Sequence, residues 1–249
     1  MPRITAIICV RMGSERFPGK TMKPINGRPL LGILIDRVKQ SKHINSIVVA
    51  TSVNKNNDII ETFCANEGIH CFRGSEDDVA GRMLGALESE GADIGVEIYG
   101  DGPLNDPRLI DECIEYYLND GTYDLVGNDM KATYPSGMYS ETFSVKAFKD
   151  STERTSDPAI REHGTLYLRQ HPDLYKTINI EADGKLNRSD IHLDVDTKYD
   201  FDIIEAIVKN FAPRNDFSLS EILDFLDANP LLAKSNQHTE RRWKQYQRT

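Results

Sequence analysis

The strongest constraint on the fold is an order of elements: over the first half of the chain, short apolar runs alternate with segments of helical period. Residues 4–10 read as a buried strand, interrupted only by Thr5, and residues 30–41 as a helix with Leu31, Leu34, Ile35 and Val38 on one face. A strand over 46–50, a helix over 58–67, a short strand over 69–72 and a helix over Val79–Ser89 follow. Next come a strand over Ile94–Tyr99 and a helix over 107–118, entered through a proline as first turns permit. Strands that alternate with helices build right-handed βαβ units, so an α/β fold on a mostly parallel sheet is expected. Ligands of such sheets bind at the carboxyl ends of the strands, where the loops 11–29, 51–57, 73–78 and 100–106 fall.

The pattern changes over 128–144, where Gly and Pro breaks separate Tyr134, Tyr139 and Phe143 in short alternation. This stretch reads as β-rich and projecting, a candidate dimer arm. A helix over 158–169, strands over 175–180 and 191–195, and helices over 200–210 and 219–226 complete the chain. The expected organisation is one domain over 1–232, with an insertion over 128–175 for dimerisation or sugar binding. Residues 233–249 carry a net +4 and read as a solvated tail, although Trp243 could dock on a neighbour.

Apolar residues make up 39% of the 249, enough for a real core. The N-terminal apolar run is too short for a membrane span and lacks the flanks of a signal peptide, so a cytoplasmic protein with no membrane partner is expected. Cys9, Cys64, Cys71 and Cys113 form no C-x-x-C pair and read as reduced, partly buried thiols. The net charge of −9 argues against a nucleic-acid partner. Yet residues 1–28 hold six cations against Glu15 alone. A basic segment in an acidic chain suggests one local anionic ligand.

That segment centres on Arg11-Met12-Gly13-Ser14-Glu15-Arg16-Phe17-Pro18-Gly19-Lys20-Thr21, directly after the first strand. Glycines let backbone N–H groups approach an anion, and the cations neutralise phosphate charge. A basic surface loop is the plain alternative. Ser14-x-x-x-x-Gly19-Lys20-Thr21 also approximates a P-loop, but Pro18 stiffens the wrap and Pro24 interrupts the helix a P-loop requires.

The run R-x-G-S-x-R-x-P-G-K resembles the signature of the sugar-acid cytidylyltransferases, a group that includes CMP-3-deoxy-octulosonate synthetase, the acylneuraminate enzymes and a spore-coat polysaccharide (SpsF-like) branch. The resemblance to that last branch extends for about 200 residues through segments at Lys23–Leu31, Val48–Ser52, Arg73–Val79 with Arg82, Gly100–Pro107, Tyr134–Gly137, Arg161–His163 and Asp194–Thr197. It implies a Rossmann-like nucleotidyltransferase fold, with a homodimer as the usual assembly. It further implies a CTP-dependent reaction in which the anomeric hydroxyl of a small acidic sugar, a 2-keto sugar acid, attacks the α-phosphorus and pyrophosphate leaves.

Residue by residue, the resemblance places Arg11, Met12, Gly13, Ser14, Arg16, Lys20, Thr51, Arg73, Ser75 and Arg82 around the nucleotide, with Arg11 and Lys20 in catalysis. It places Tyr134, Arg161, Glu162 and His163 at the sugar, and Tyr167 more weakly. Asp101 and Asp196 look like ligands of Mg²⁺, with Asp194 as the first Asp of a D-x-D. The residues agree with this. Asp194 and Asp196, two apart in a strand, share a face, and Mg²⁺ typically takes one or two carboxylates plus phosphate oxygens and water. Turn and capping roles are the plain alternative for these acids, and the preferred one for Asp200. Packing is the plain alternative for Tyr134 and His163, and a solvated helix position for Arg82.

Two positions depart from the branch. Gly102 stands where most members have Cys, and Ser136 where most have Asp, so the sugar pocket is expected to differ. Asp194-Val-Asp196 also fits a metal-dependent glycosyltransferase, and the same fold could serve a non-catalytic nucleotide-sugar sensor.

Overall fold

In a computed structural model that describes residues 1–239 and 241, the chain forms nine strands and ten α-helices among the described residues. The strands are β1 (Ile4–Cys9), β2 (Pro24–Ile25), β3 (Arg28–Pro29), β4 (Ser46–Ser52), β5 (His70–Gly74), β6 (Ile94–Tyr99), β7 (Leu125–Gly127), β8 (Ser140–Ser144) and β9 (Thr177–Asn179). The helices are α1 (Leu30–Val38), α2 (Asp58–Asn66), α3 (Val79–Ser89), α4 (Pro107–Asp120), α5 (Val145–Glu153), α6 (Pro158–Arg161), α7 (Leu166–Gln170), α8 (Lys198–Phe211), α9 (Leu219–Ala228) and α10 (Pro230–Ala233).

Seven strands form one sheet in the order β5-β4-β1-β6-β8-β7-β9. β1 runs parallel to β4 and β6, and β4 to β5. β8 is antiparallel to both of its neighbours. The remaining pair, β2 and β3, is a hairpin closed by Asn26 and Gly27, both at positive φ as a two-residue turn of that hand requires.

β1 is an almost unbroken apolar run because both of its faces are covered. Ala6 and Ile8 pack with Leu31, Leu34 and Val38 of α1, while Ile7 packs with Met83 and Leu87 of α3 on the other face. α1 is fixed further by Arg37, which is fully buried and donates to the carbonyls of Asn105, Asn215 and Phe217. The parallel alignment of β4, β1 and β6 brings their following loops to one edge of the sheet.

Four sequence expectations are corrected. The stretch 128–144 does not project: Tyr134, Tyr139 and Phe143 are buried, and β8 enters the main sheet. The small separate antiparallel element is instead the 24–29 hairpin. Residues 158–169 form two short helices, parted by Gly164 at φ 32. Residues 191–195 form no strand; His192 makes only an isolated bridge to Ser136. The terminal segment is not wholly solvated, because Asn236 and Arg241 are buried. Trp243 lies outside the described residues.

Candidate active site

A cavity of about 660 Å³ opens at the carboxyl ends of β1 and β6. Its first wall is the loop after β1. Gly19 takes a left-handed backbone (φ 72) and its N–H returns to the Met12 carbonyl at 3.3 Å. The Thr21 hydroxyl donates to the Arg11 carbonyl at 3.2 Å, and the Met12 N–H to Asn57 Oδ1 at 2.8 Å. So pinned, the loop presents Arg11, Gly13, Ser14, Arg16 and Lys20 to the cavity. The Met12 side chain packs into the apolar cluster beneath instead. Lys20–Met22 is a single 3₁₀ turn that runs into β2, and α1 begins only at Leu30, so the loop is not a P-loop.

Opposite the loop lie the carboxylates. Asp196 accepts from Lys20 Nζ at 3.1 Å and pairs with Arg16 Nη2 at 2.7 Å. Lys20 also donates to the Val195 carbonyl at 2.5 Å and stands 3.9 Å from Asp101 Oδ2. The Val195 N–H donates to the Asp101 carbonyl at 2.8 Å, which ties the two acidic segments together. Asp101 lines the cavity with its side chain partly exposed. Burial pushes its carboxyl up to about 6, Lys20 opposes that, and Asp196 and Asp194 add to it. Two oxygen-donor carboxylates that line one cavity suit the chemistry of a hard divalent cation.

Asp194 also lines the cavity, but its oxygens are engaged: it accepts from the Ser136 hydroxyl and, at 3.2 Å, from Arg241 Nη1. No three His, Cys, Asp or Glu side chains converge on one ion position among the described residues. Of the three expected carboxylates, Asp101 and Asp196 are the two that face the Lys20 ammonium. Asp200 has the capping role expected of it, accepting from the N–H groups of Asp196 and Thr197, and it also pairs with Arg241 at 2.6 Å. Arg241 thus braces the Asp194–Asp200 turn from the C-terminal segment.

The third wall carries Arg82, Glu162 and His163. Arg82 is buried and donates to the Glu76 carbonyl at 3.3 Å. Burial holds the His163 imidazole below its usual pKa despite Glu162 nearby.

The structure does not bring the other expected residues to the cavity. Arg73 binds Asp58 (2.6 Å), Glu61 (2.7 Å) and two carbonyls away from it. Arg161 makes a bidentate pair with Asp78 (3.0 and 2.7 Å), at the N-terminus of α3. Thr51 is buried within β4, and Ser75 caps a turn by accepting from the Asp78 N–H. Tyr134 is core, and Tyr167 stacks on His171. Gly102 does not widen the pocket: a Cβ there would lie 2.5 Å from the Gly137 carbonyl oxygen, so glycine permits a close backbone crossing.

Glu97, Tyr99, Asp129 and Arg169 are among the lining residues that escape the sequence reading. Arg169 pairs with Asp129 at 3.1 Å, and the Tyr99 hydroxyl donates to the same carboxylate at 3.1 Å. The available signal was Glu97, a charge in the middle of an apolar strand.

The sequence profile of the cytidylyltransferases matches residues 5–234, nearly the whole chain. The chain belongs to the cytidylyltransferase family. It is similar to the spore coat polysaccharide biosynthesis protein SpsF of Bacillus subtilis (strain 168), with 35% identity over 236 residues covering 92% of this chain and 96% of that one. An uncharacterized protein of Methanocaldococcus jannaschii is 34% identical over 240 residues, covering 96% and 97%. Among solved structures, a cytidylyltransferase from Leptospira borgpetersenii serovar Hardjo-bovis superposes with a TM-score of 0.89 at 27% identity, over 97% of this chain and 99% of that one. A CMP:2-keto-3-deoxy-manno-octonic acid synthetase complexed with CTP shares the fold, with a TM-score of 0.63 at 16% identity over 84% and 99%. This cytidylyltransferase is therefore a nucleotidyltransferase, and its Asp194-Val-Asp196 run is no mark of a glycosyltransferase. No helix among the described residues is long and apolar enough to cross a membrane.

Proposed function

We propose that the enzyme transfers CMP from CTP to the anomeric hydroxyl of a 2-keto-3-deoxy sugar acid of octulosonic or nonulosonic type, for surface polysaccharide or glycoconjugate synthesis, and that it works as a homodimer. The observation that carries this reading is the meeting of Lys20 and Arg16 with Asp196 and Asp101 in the lining of the cavity. A triphosphate displaces those cations from the carboxylates and takes them itself. The freed acids are then positioned for Mg²⁺.

Asp101 and Asp196 would hold the ion, whose charge would neutralise phosphate oxygens as the leaving group departs. The protein's own work is alignment and charge neutralisation, which dominate phosphoryl-type displacement. Arg11, Arg16 and Lys20 hold the triphosphate, and the Gly13 and Ser14 backbone closes on it. As the acceptor oxygen bonds to the α-phosphorus, the bond from that phosphorus to the α,β-bridging oxygen breaks, pyrophosphate leaves, and the acceptor hydroxyl's proton passes to solvent. Arg82 and the adjoining backbone are left to read the base.

Incubation with each nucleoside triphosphate, Mg²⁺ and a panel of 2-keto sugar acids tests the proposal. Pyrophosphate should appear with CTP, and only when an acid acceptor is present. Equal release from ATP refutes the base assignment, and release independent of any acid refutes the acceptor.

A further inference from the structure

Arg16, Lys20 and Arg241 all stand among the acids at the phosphate end, but they differ in access. Arg16 and Lys20 line the cavity and can pass to a triphosphate. Arg241 reaches in from the C-terminal segment behind the acids, with 1% of its side chain exposed. Its Nη1 donates to Asp194 Oδ2 at 3.2 Å and its Nη2 to Asp200 Oδ1 at 2.6 Å. The other Asp194 oxygen accepts from the Ser136 hydroxyl, so both oxygens are taken although the residue lines the cavity. Asp200 is engaged on both sides as well. Its Oδ1 also accepts from Asn236 Nδ2 at 2.7 Å, and its Oδ2 accepts from the N–H groups of Asp196 and Thr197 at 3.0 and 2.7 Å. One guanidinium therefore binds Asp194 directly and holds the Asp196 backbone through a single intervening carboxylate.

Burying a guanidinium between two carboxylates is costly, and a well-packed apolar group in such a place is often as stable or more so. Arg241 Nε, moreover, has no hydrogen-bond partner among the described residues. Stability alone does not account for this arrangement, whereas electrostatics at the site does. Once Lys20 and Arg16 pass to phosphate oxygens, Arg241 is the cation that stays with Asp194, Asp196 and Asp200. Without it, Asp194 can turn toward a divalent ion and take a position that Mg²⁺ normally keeps for water and phosphate oxygens.

We propose that Arg241 is a positioning residue for the metal site: it withholds Asp194 from the ion and fixes Asp196 through Asp200. The C-terminal segment thereby belongs to the active site without touching substrate. The inference rests on the metal-dependent cytidylyl transfer proposed above.

Mn²⁺ in place of Mg²⁺ gives a readout besides turnover. The full-length enzyme is saturated with a non-reacting α,β-methylene analogue of CTP, Mn²⁺ is titrated in, and the bound ion is followed by electron paramagnetic resonance. Arg241→Gln keeps a donor and removes the charge. It should bind Mn²⁺ about fivefold more tightly or better, since Asp194 is released and a nearby positive charge is lost. Its kcat with CTP and Mg²⁺ should fall about tenfold or more, because Asp196 is no longer held in place. Adding Asp194→Asn should return the Mn²⁺ affinity to within about twofold of the unmodified enzyme. Unchanged or weaker Mn²⁺ binding by Arg241→Gln overturns the inference and leaves Arg241 a brace of the fold. A gain that survives Asp194→Asn overturns it too. If Arg241→Gln does not fold, Asp194→Asn and Asp196→Asn decide. Mn²⁺ affinity should then stay within about twofold for the first and fall about tenfold or more for the second, and equal losses overturn the inference. An unmodified enzyme that holds no Mn²⁺ beside the analogue refutes the metal reading itself.

Discussion

Lys20 Nζ stands 3.1 Å from Asp196 Oδ1 and 3.9 Å from Asp101 Oδ2, so the loop after the first strand and two carboxylates from distant segments form one electrostatic unit. Arg16 completes it from the far side of Asp196 at 2.7 Å. Such a unit is satisfied in the free protein and exchangeable. Its cations can pass to phosphate oxygens, and its anions to a divalent ion.

Asp196→Asn keeps the size of the side chain and removes its charge. Turnover should fall on the order of a hundredfold or more, because charge stabilisation at a transferring phosphate is worth several kcal/mol. The melting temperature should change little, since Lys20 and Arg16 both reach the cavity and can turn to solvent. A variant that melts far lower, with normal turnover in its folded fraction, would make Asp196 structural.

Arg161 behaves as a brace between α6 and the start of α3. Arg161→Ala should destabilise the protein by about 1–2 kcal/mol, with the partial exposure of Asp78 holding the loss to that range. KM for CTP should stay unchanged. Denaturant titration beside initial-rate kinetics separates the two effects, and an unshifted midpoint with a raised KM would return Arg161 to the substrate.

Glu97 predicts a pH dependence of stability. Its carboxyl is raised from 4.5 to about 8 in the folded protein, so between those values the native state binds a proton that the unfolded state lacks. Stability from this group is therefore complete below about pH 4.5 and is lost as pH rises through about 8. Thermal melts of the ligand-free enzyme from pH 5 to 9 should show this decline, and Glu97→Gln should flatten it. A slope unaltered by the substitution would place the titration elsewhere.

The parts of the site that are local in sequence were legible, and the parts that depend on distant partners were not. β6 and α3 have the expected bounds because an apolar strand and a strong helical period leave little choice. The basic loop and Asp101 follow strands directly, so their place at the sheet edge comes from topology alone. A motif arginine carries no mark of its partner, however. Arg73 and Arg161 fold back onto Asp58, Glu61 and Asp78 instead of facing the cavity. Residues 191–195 have a period-two pattern, yet the His192 and Asp194 side chains meet Ser136 and the C-terminal Arg241, and Asn236 takes the His192 carbonyl that a ladder would have used. Arg241 is 47 residues from Asp194, a separation that periodicity cannot bridge.

The central claim is that the loop holds the triphosphate through specific contacts rather than as a diffuse basic patch. Lys20 and Lys23 test it, because each contributes one charge but only Lys20 reaches the carboxylates. Lys23 lies 4.8 Å over the Phe17 ring, away from the cavity. Steady-state kinetics of Lys20→Ala and Lys23→Ala, with CTP varied at saturating Mg²⁺ and acceptor, is the measurement. Lys20→Ala should lower kcat by about a hundredfold as well as raise KM for CTP, since its phosphate contact strengthens as pyrophosphate departs. Lys23→Ala should remain within about twofold of the unmodified enzyme. Equal losses in the two variants would contradict the phosphate cradle.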